Sequence, residues 1–439
     1  MPMPYEDERA GLAALRSIVE RGVVDDFRSQ MRDRHTGVPL PLPNFKPCPA
    51  GTPRSHILAI DGSNVYDAIP GALPCTEAGI VSLGLVVIDV KKLTSLRTLP
   101  DSGAVNPRHL RATEEGDSLG FMLPGQNAEK DDGTSPRTWF RQILNDELHS
   151  THFGGETLAV TLHNLIGPNR VIPHCPNPDC NENNVTTPGP GQCYTCKSCG
   201  ESILLSDGLR IHTQFEDNAS PVQCHHRVRD ALELLTLVNA LRYLNTTKQG
   251  RAAIANTAFV LDGPLAAFGT IAVLTAAVHK ELRKIQDSVR QDYPGANLLV
   301  MSGVKSGEFV RHAEDLDRAP APDERLPRDH FWLPDNEYIR DHIVARHANS
   351  PTAWGELTYF GRPVILKTSN GQRLILNLAQ PEADPPLTAA PQPEALRDAI
   401  ATASPLGVGT NQFLALRRAH QQAAIPLRAG TDLIKSLAP

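Results

Sequence analysis

Short, unbroken apolar runs mark the middle of this chain, and two of them stop in the same way. Ile57 to Ile60 run into Asp61 and Gly62; Ala258 to Leu261, after Thr257, run into Asp262 and Gly263. Runs of this length bounded by turn residues predict buried strands. On the same reading "SHILAID", "GIVSLGLVVIDV" (79–90) and "ETLAVTLHNL" (156–165) are three successive strands, suggesting a meander. Residues 223–247 carry apolar positions at helical spacing and predict a helix; "TAFVLD" follows as a strand, 270–291 as a helix and "ANLLVMSGVKSG" as a strand.

Further along, "LTYFGRPVILKTSNGQRLILNL" predicts a hairpin turning at Ser-Asn-Gly. Residues 313–337 and 380–393 are charged or Pro-rich and predict surface loops, and 394–403 and 411–437 predict helices. At the other end, Leu12, Leu15, Ile18, Val19 and Val23 space one or two amphipathic helices within 5–34, an arm for a partner or a helix packed on its own domain. Strands first, then helix–strand–helix–strand, predict an α/β sheet covered by helices.

Composition narrows the classes. With 439 residues, 40% hydrophobic and 21% charged, the chain is globular in type. Its 43 basic against 49 acidic residues give a net charge of −6, which argues against a broad nucleic-acid coat but leaves room for a local basic channel. No apolar run approaches the roughly 18 residues of a membrane helix. "MPMPYEDERAG" has no basic region followed by an apolar one, so the cytoplasm is the expected compartment. Cysteines there serve as metal ligands or reduced core residues rather than disulfides.

Five of the eight cysteines lie in "CPNPDCNENNVTTPGPGQCYTCKSCGE". Cys175-x4-Cys180 and Cys196-x2-Cys199 make two knuckles, the four soft ligands of a tetrahedral structural zinc. Cys193 with Cys196 is an alternative second knuckle, and His174 is an outside candidate. With four thiolates there is no open position, so this zinc ribbon, an insertion at 170–205, is expected to be structural. Cys48, Cys75 and Cys224 read as small core hydrophobes.

The two strand-end aspartates fit a different chemistry. Carboxylates are the hard ligands of magnesium or manganese, and phosphodiester hydrolysis uses such metals to polarise the phosphoryl group and activate water. In "RVRDALELLTLV", Asp230 and Glu233 lie three apart on one helix face, and either could supply a third carboxylate.

The succession "IDGSN", a helical glutamate, "VLDGPL", "SGVKSGE" and "FLALRRAHQQAAI" resembles the NurA family of nucleases, partners of HerA-type DNA translocase ATPases. The resemblance spans Ile57 to Ile425, interrupted by the ribbon and the Pro-rich loops. It implies an RNase H-like core with a carboxylate-bound manganese or magnesium site and a histidine beside it. Position by position it places catalytic roles on Asp61, Glu233, Asp262, Lys305 and His420, all but Lys305 as metal ligands. Pro264 stands where a serine is commoner in the family. The implied protein is a metal-dependent DNA nuclease, exo- or endonucleolytic. It is a homodimer working with a hexameric HerA-type ATPase in DNA end processing or anti-phage defence. The implied organisation is an N-terminal helical arm (1–50) and a nuclease core in two parts (51–169 and 206–439) around the ribbon.

Two other classes compete. An actin-like ATPase also opens with Asp-Gly on a strand, but it needs a glycine-rich phosphate loop after the later aspartate. A zinc-ribbon DNA-binding adaptor with a dead core would bind DNA without cutting it. "GVGTNQF" lacks the third glycine of a dinucleotide loop, and there is no Walker A motif.

Overall fold

The computed structural model describes residues 13–31, 43–71, 75–95, 114–151, 153–318, 325–344, 354–383, 391–404, 414–425 and 427–438. The "GVGTNQF" segment and parts of the two loops expected at 313–337 and 380–393 fall outside them. An N-terminal unit ends at Leu42 and contains α1 (Ala13–Glu20) and α2 (Val23–Gln30). Everything else belongs to a second unit, Pro43–Pro439.

The second unit is built on one mixed sheet. Its strands are β1 (Lys46–Pro47), β2 (His56–Ile69), β3 (Thr76–Asp89) and β4 (Glu114–Pro124), then, beyond the ribbon, β9 (Thr257–Asp262), β10 (Leu299–Gly303), β11 (His330–Trp332), β12 (Gly361–Lys367) and β13 (Arg373–Ala379). Between them the ribbon carries β5 (Val171–His174), β6 (Asn183–Thr186), β7 (Tyr194–Thr195) and β8 (Ser202–Ile203), paired as two small sheets of its own. Across the large sheet the order is β1-β11-β12-β13-β10-β9-β2-β3-β4. β9 runs parallel to both β2 and β10, and the remaining neighbours are antiparallel.

Helices cover both faces: α3 (Val90–Ser95), α4 (Pro136–Ser150), α5 (Leu158–Ile166), α6 (Val222–Asn245), α7 (Lys248–Asn256), α8 (Val273–Asp292), α9 (Glu308–Asp317), α10 (Asn336–Tyr338), α11 (Pro393–Ala403), α12 (Leu414–Ala423) and α13 (Leu427–Lys435). Side chains alternate across a strand, so each strand feeds two cores. Leu58, Ile60, Phe259 and Leu261 pack with Leu162 of α5, Leu235 of α6 and Leu282 of α8. On the opposite face Ile57, Ala59, Ala258 and Val260 pack with Ile400 of α11 and Leu416 of α12. Burial on both faces is why these strands read as continuous apolar runs rather than alternating ones.

Two expectations are corrected. The segment 156–165 is not a strand. Thr157 caps α5 by accepting from Val160 N at 3.3 Å, and Leu158, Ala159 and Leu162 bury one helical face. Its apolar spacing follows the 3.6-residue period, which a short run conceals. The third strand of the meander is instead β4, where Leu119, Phe121 and Leu123 share one face. Nor is 313–337 wholly loop: α9 occupies its start, and Phe331 and Trp332 of β11 are buried in the sheet. Charged and proline neighbours hid that three-residue strand.

One packing detail governs the site. In β3, Gly84 lies opposite Asp61 of β2 in register. A Cβ there would sit 2.6 Å from both Ala419 O and Ala423 N of α12. The helix meets the strand through Ala415, Ala419 and Ala423, small residues at four-residue spacing, all buried. Ser82 Oγ, two residues before Gly84, donates to Ala423 O at 2.6 Å. Gly84→Val therefore overpacks this contact. The expected loss is about 2 kcal/mol of stability, measured by denaturant unfolding; an unchanged midpoint would show that α12 does not need the close approach.

Candidate active site

The parallel pairing of β2 and β9 ends at Ile60↔Leu261, and Asp61 and Asp262 are the next residue on each strand. They continue the face that Ala59 and Val260 occupy, so both carboxylates project on the α12 side. β9 stops here and turns at Gly263, whose φ of 84° is a conformation glycine adopts without strain. β2 continues, paired only with β3. A cleft of about 450 Å³ opens where the strands part, and it is lined by Asp61, Asp230, Glu233, Asp262, Lys305 and His420 among others.

Three of these converge. One ligand atom each from Asp61, Asp262 and His420 lie within 4.8 Å of one another. His420 Nδ1 is 2.9 Å from Asp61 Oδ2, carried there by the close seating of α12. Lys305, just beyond β10, places its ammonium on Asp262 Oδ2. Asp61 is 4% exposed at its side chain and His420 54%, so one wall of the trio is buried and the other open to an incoming molecule.

Glu233 approaches from the opposite face, on α6. Its Oε1 accepts from Gly62 N at 2.9 Å. A Cβ on residue 62 would lie 2.4 Å from Arg229 Cγ and 2.7 Å from Glu233 Oε1, so the glycine of the Asp-Gly pair makes room for α6. Arg229, one turn before Glu233, lies 3.7 Å from its carboxylate and donates to Asp230 and, at 3.4 Å, to Asn64.

Asp230 is held by two guanidiniums, Arg227 at 3.1 Å and Arg229 at 2.7 Å, and neither it nor Glu233 belongs to the group formed by Asp61, Asp262 and His420. Arg229 and Gly84 are the contributors that the motifs did not single out. The signal for Arg229 was its four-residue spacing from Glu233. Gly84 had none, because a glycine inside an apolar run does not say what packs against it.

The carboxyls of the site are displaced from their ordinary acidity. Burial, followed by the charge of Asp262, pushes Asp61 up to about 8. Burial likewise raises Glu233 well above the usual carboxylate range. Two hard carboxylate ligands and an imidazole nitrogen meet here, a donor set that suits manganese or magnesium.

In the ribbon, one Sγ from each of Cys175, Cys180, Cys196 and Cys199 lies within 4.8 Å of the other three. Cys175 and Cys199 are 3.7 Å apart, and Cys180 and Cys196 3.8 Å. The backbone N–H groups of Cys199 and Ser198 point at the Cys196 sulfur and pull its pKa down to about 7, toward the thiolate that binds metal. Exposed Cys193 is outside the group, and His174 instead pairs with Asn183 at 2.7 Å. The four sulfurs fit a zinc ion.

No family model and no curated protein matches the chain in sequence. Among solved structures, the NurA nuclease from Sulfolobus solfataricus aligns over 97% of this chain and 93% of its own, at 10% identity and a TM-score of 0.31. A structure of NurA with manganese aligns over 97% and 98% respectively, at 10% identity and a TM-score of 0.23. Among the described residues, no helix is long and apolar enough to cross a membrane.

Two outcomes follow from these sites. The folded, metal-free chain keeps the Asp61 proton, which an unfolded aspartate releases near 4. The folded state then binds more protons than the unfolded one, so metal-free stability falls as pH rises from about 4 to about 8. Thermal melts across that window should show the fall in wild type and a weaker one in Asp61→Asn; parallel curves would refute it. Metal analysis of untagged protein should return one zinc per chain, lost when Cys196 and Cys199 are both changed to Ser. The 170–205 region should then become protease-sensitive while the large sheet persists.

Proposed function

We propose that this chain is a metal-dependent deoxyribonuclease of the NurA type, a phosphodiester hydrolase with an RNase H-like core. The observation that carries the reading is the convergence of Asp61, Asp262 and His420 within 4.8 Å at a parted strand end, beside Lys305 and Glu233. That combination is suited to phosphodiesters. Asp61, Asp262 and His420, with Glu233 closing the set, would hold manganese or magnesium. When bound, such an ion supplies charge neutralisation for the phosphoryl oxygens and acidifies a water.

The protein's own groups do the rest. Lys305 pairs with Asp262 at the mouth of the cleft, where its ammonium would also neutralise a scissile phosphate. His420 is the most exposed of the three convergent groups and can take or give a proton at Nε2 while Nδ1 faces Asp61. Glu233 is fixed by Gly62 N, which holds the α6 wall of the cleft.

In this reading the zinc ribbon is a structural insertion between the two parts of the core, 51–169 and 206–439, and 1–50 is an arm. The chain works in the cytoplasm as a homodimer, with a HerA-type hexameric ATPase, in DNA end processing or anti-phage defence. Lacking a Walker A motif, it depends on that partner for any translocation.

Asp262→Asn tests the catalytic reading. The substitution keeps the shape but removes a negative charge and a hard ligand. Manganese-dependent cleavage of labelled DNA should fall by at least about a hundredfold. The metal-free melting temperature should hold or rise, because one carboxylate–carboxylate repulsion is gone. A variant that melts earlier and still cuts DNA would leave Asp262 a turn-capping residue. DNA binding without any metal-dependent cutting by the wild type would favour the adaptor reading.

A further inference from the structure

A second cleft, of about 460 Å³, runs between the ribbon and the large unit's helical layer. One wall is the first ribbon knuckle, including Pro173, His174 and Pro176; the other includes Arg137, Arg210 and Thr213. No carboxylate lines it, although the chain as a whole is acidic. Its walls are fixed to each other. Arg141, 2% exposed, bridges Glu201 of the ribbon at 2.5 Å and Asp207 at 2.7 Å.

Of the two arginines, Arg137 donates through Nη2 to the Phe215 carbonyl, and Arg210 is the freer. Arg137 Nε is buried without a hydrogen-bond partner. Arg210 takes a left-handed conformation, φ 59° and ψ 17°, which a non-glycine residue adopts only at a cost. Among the described residues, no hydrogen bond or ion pair engages its guanidinium. A half-buried, unpaired arginine in a strained backbone, facing a rigid groove without acids, is arranged for an anion from outside.

Resting on the nuclease reading above, we propose that this groove is a second nucleic-acid contact, taking the phosphodiester backbone of a single strand, with Arg210 and Arg137 on its phosphates. The groove has room for a short piece of one strand and not for a duplex. His174 brings an aromatic ring to the same wall, a face on which a base can stack. Anchored through Arg141, the ribbon serves as a jaw that holds the strand independently of the metal cleft.

The test is anisotropy of a fluorescein-labelled oligothymidylate without added manganese or magnesium, across a salt series. Arg210→Gly removes the guanidinium and suits the left-handed backbone, so the melting temperature should not drop. Its Kd should rise about fivefold and the log–log salt slope should fall by about one ion, with partial recovery in Arg210→Lys.

An Arg210→Gly protein that melts normally and binds the strand as wild type does would overturn the groove, while manganese-dependent cutting by the wild type leaves the nuclease reading standing. Inorganic phosphate that competes as well as unlabelled strand, at matched ionic strength, would also overturn it. Strand binding through Arg210 by a chain that never cuts supports the groove and removes the nuclease reading. A wild type that binds no strand overturns the groove, and manganese-dependent cutting decides the nuclease reading separately.

Discussion

Two carboxylates at equivalent positions on adjacent parallel strands repel, and much of this structure follows from that juxtaposition. Asp61 and Asp262 are placed by the register of β2 and β9, which buried apolar side chains on both faces lock. A slip of one residue would turn every one of those side chains to the wrong core. The backbone therefore keeps the two acids together against their mutual repulsion. Lys305 and His420 moderate the repulsion without removing its cause. A divalent cation among them would satisfy it more fully.

The helices complete the arrangement from opposite sides. On one face α6 is drawn against the strand at Gly62, so Glu233 can grip the backbone beside Asp61. On the other, α12 lies on Gly84 through three alanines, so His420 can reach the same aspartate. Both contacts use a glycine: a side chain at residue 84 would meet the backbone of α12, and one at residue 62 would meet the Arg229 and Glu233 side chains. The precision of the site thus comes from absent side chains as much as from those that carry charge, and the surrounding apolar packing holds the helices at that distance.

The sequence made parts of this legible. Buried central strands announce themselves as apolar runs, and an acid immediately after such a run has few ordinary explanations, so Asp61 and Asp262 stood out. The two knuckles stood out for the same reason: sulfur spacing is a local property. What stayed hidden was non-local or ambiguous in period. Residues 156–165 are apolar enough for either period, and the threonine cap decided for helix. β11 is only three residues long and gets its stability from β12 and β1 rather than from its own pattern. Gly84 takes its meaning from a helix more than 300 residues later in the chain.

That last distance bears on how the molecule comes into being. His420 pairs with an aspartate 359 positions earlier. A chain still emerging from the ribosome can lay down β2, β3 and, later, β9, and so bring the two acids together, well before the helix bearing the imidazole exists. The donor set is closed by a segment made after both acids are in place. Chains interrupted between Asp262 and His420 therefore carry the paired acids without their histidine, and the constellation is assembled only once α12 has been made.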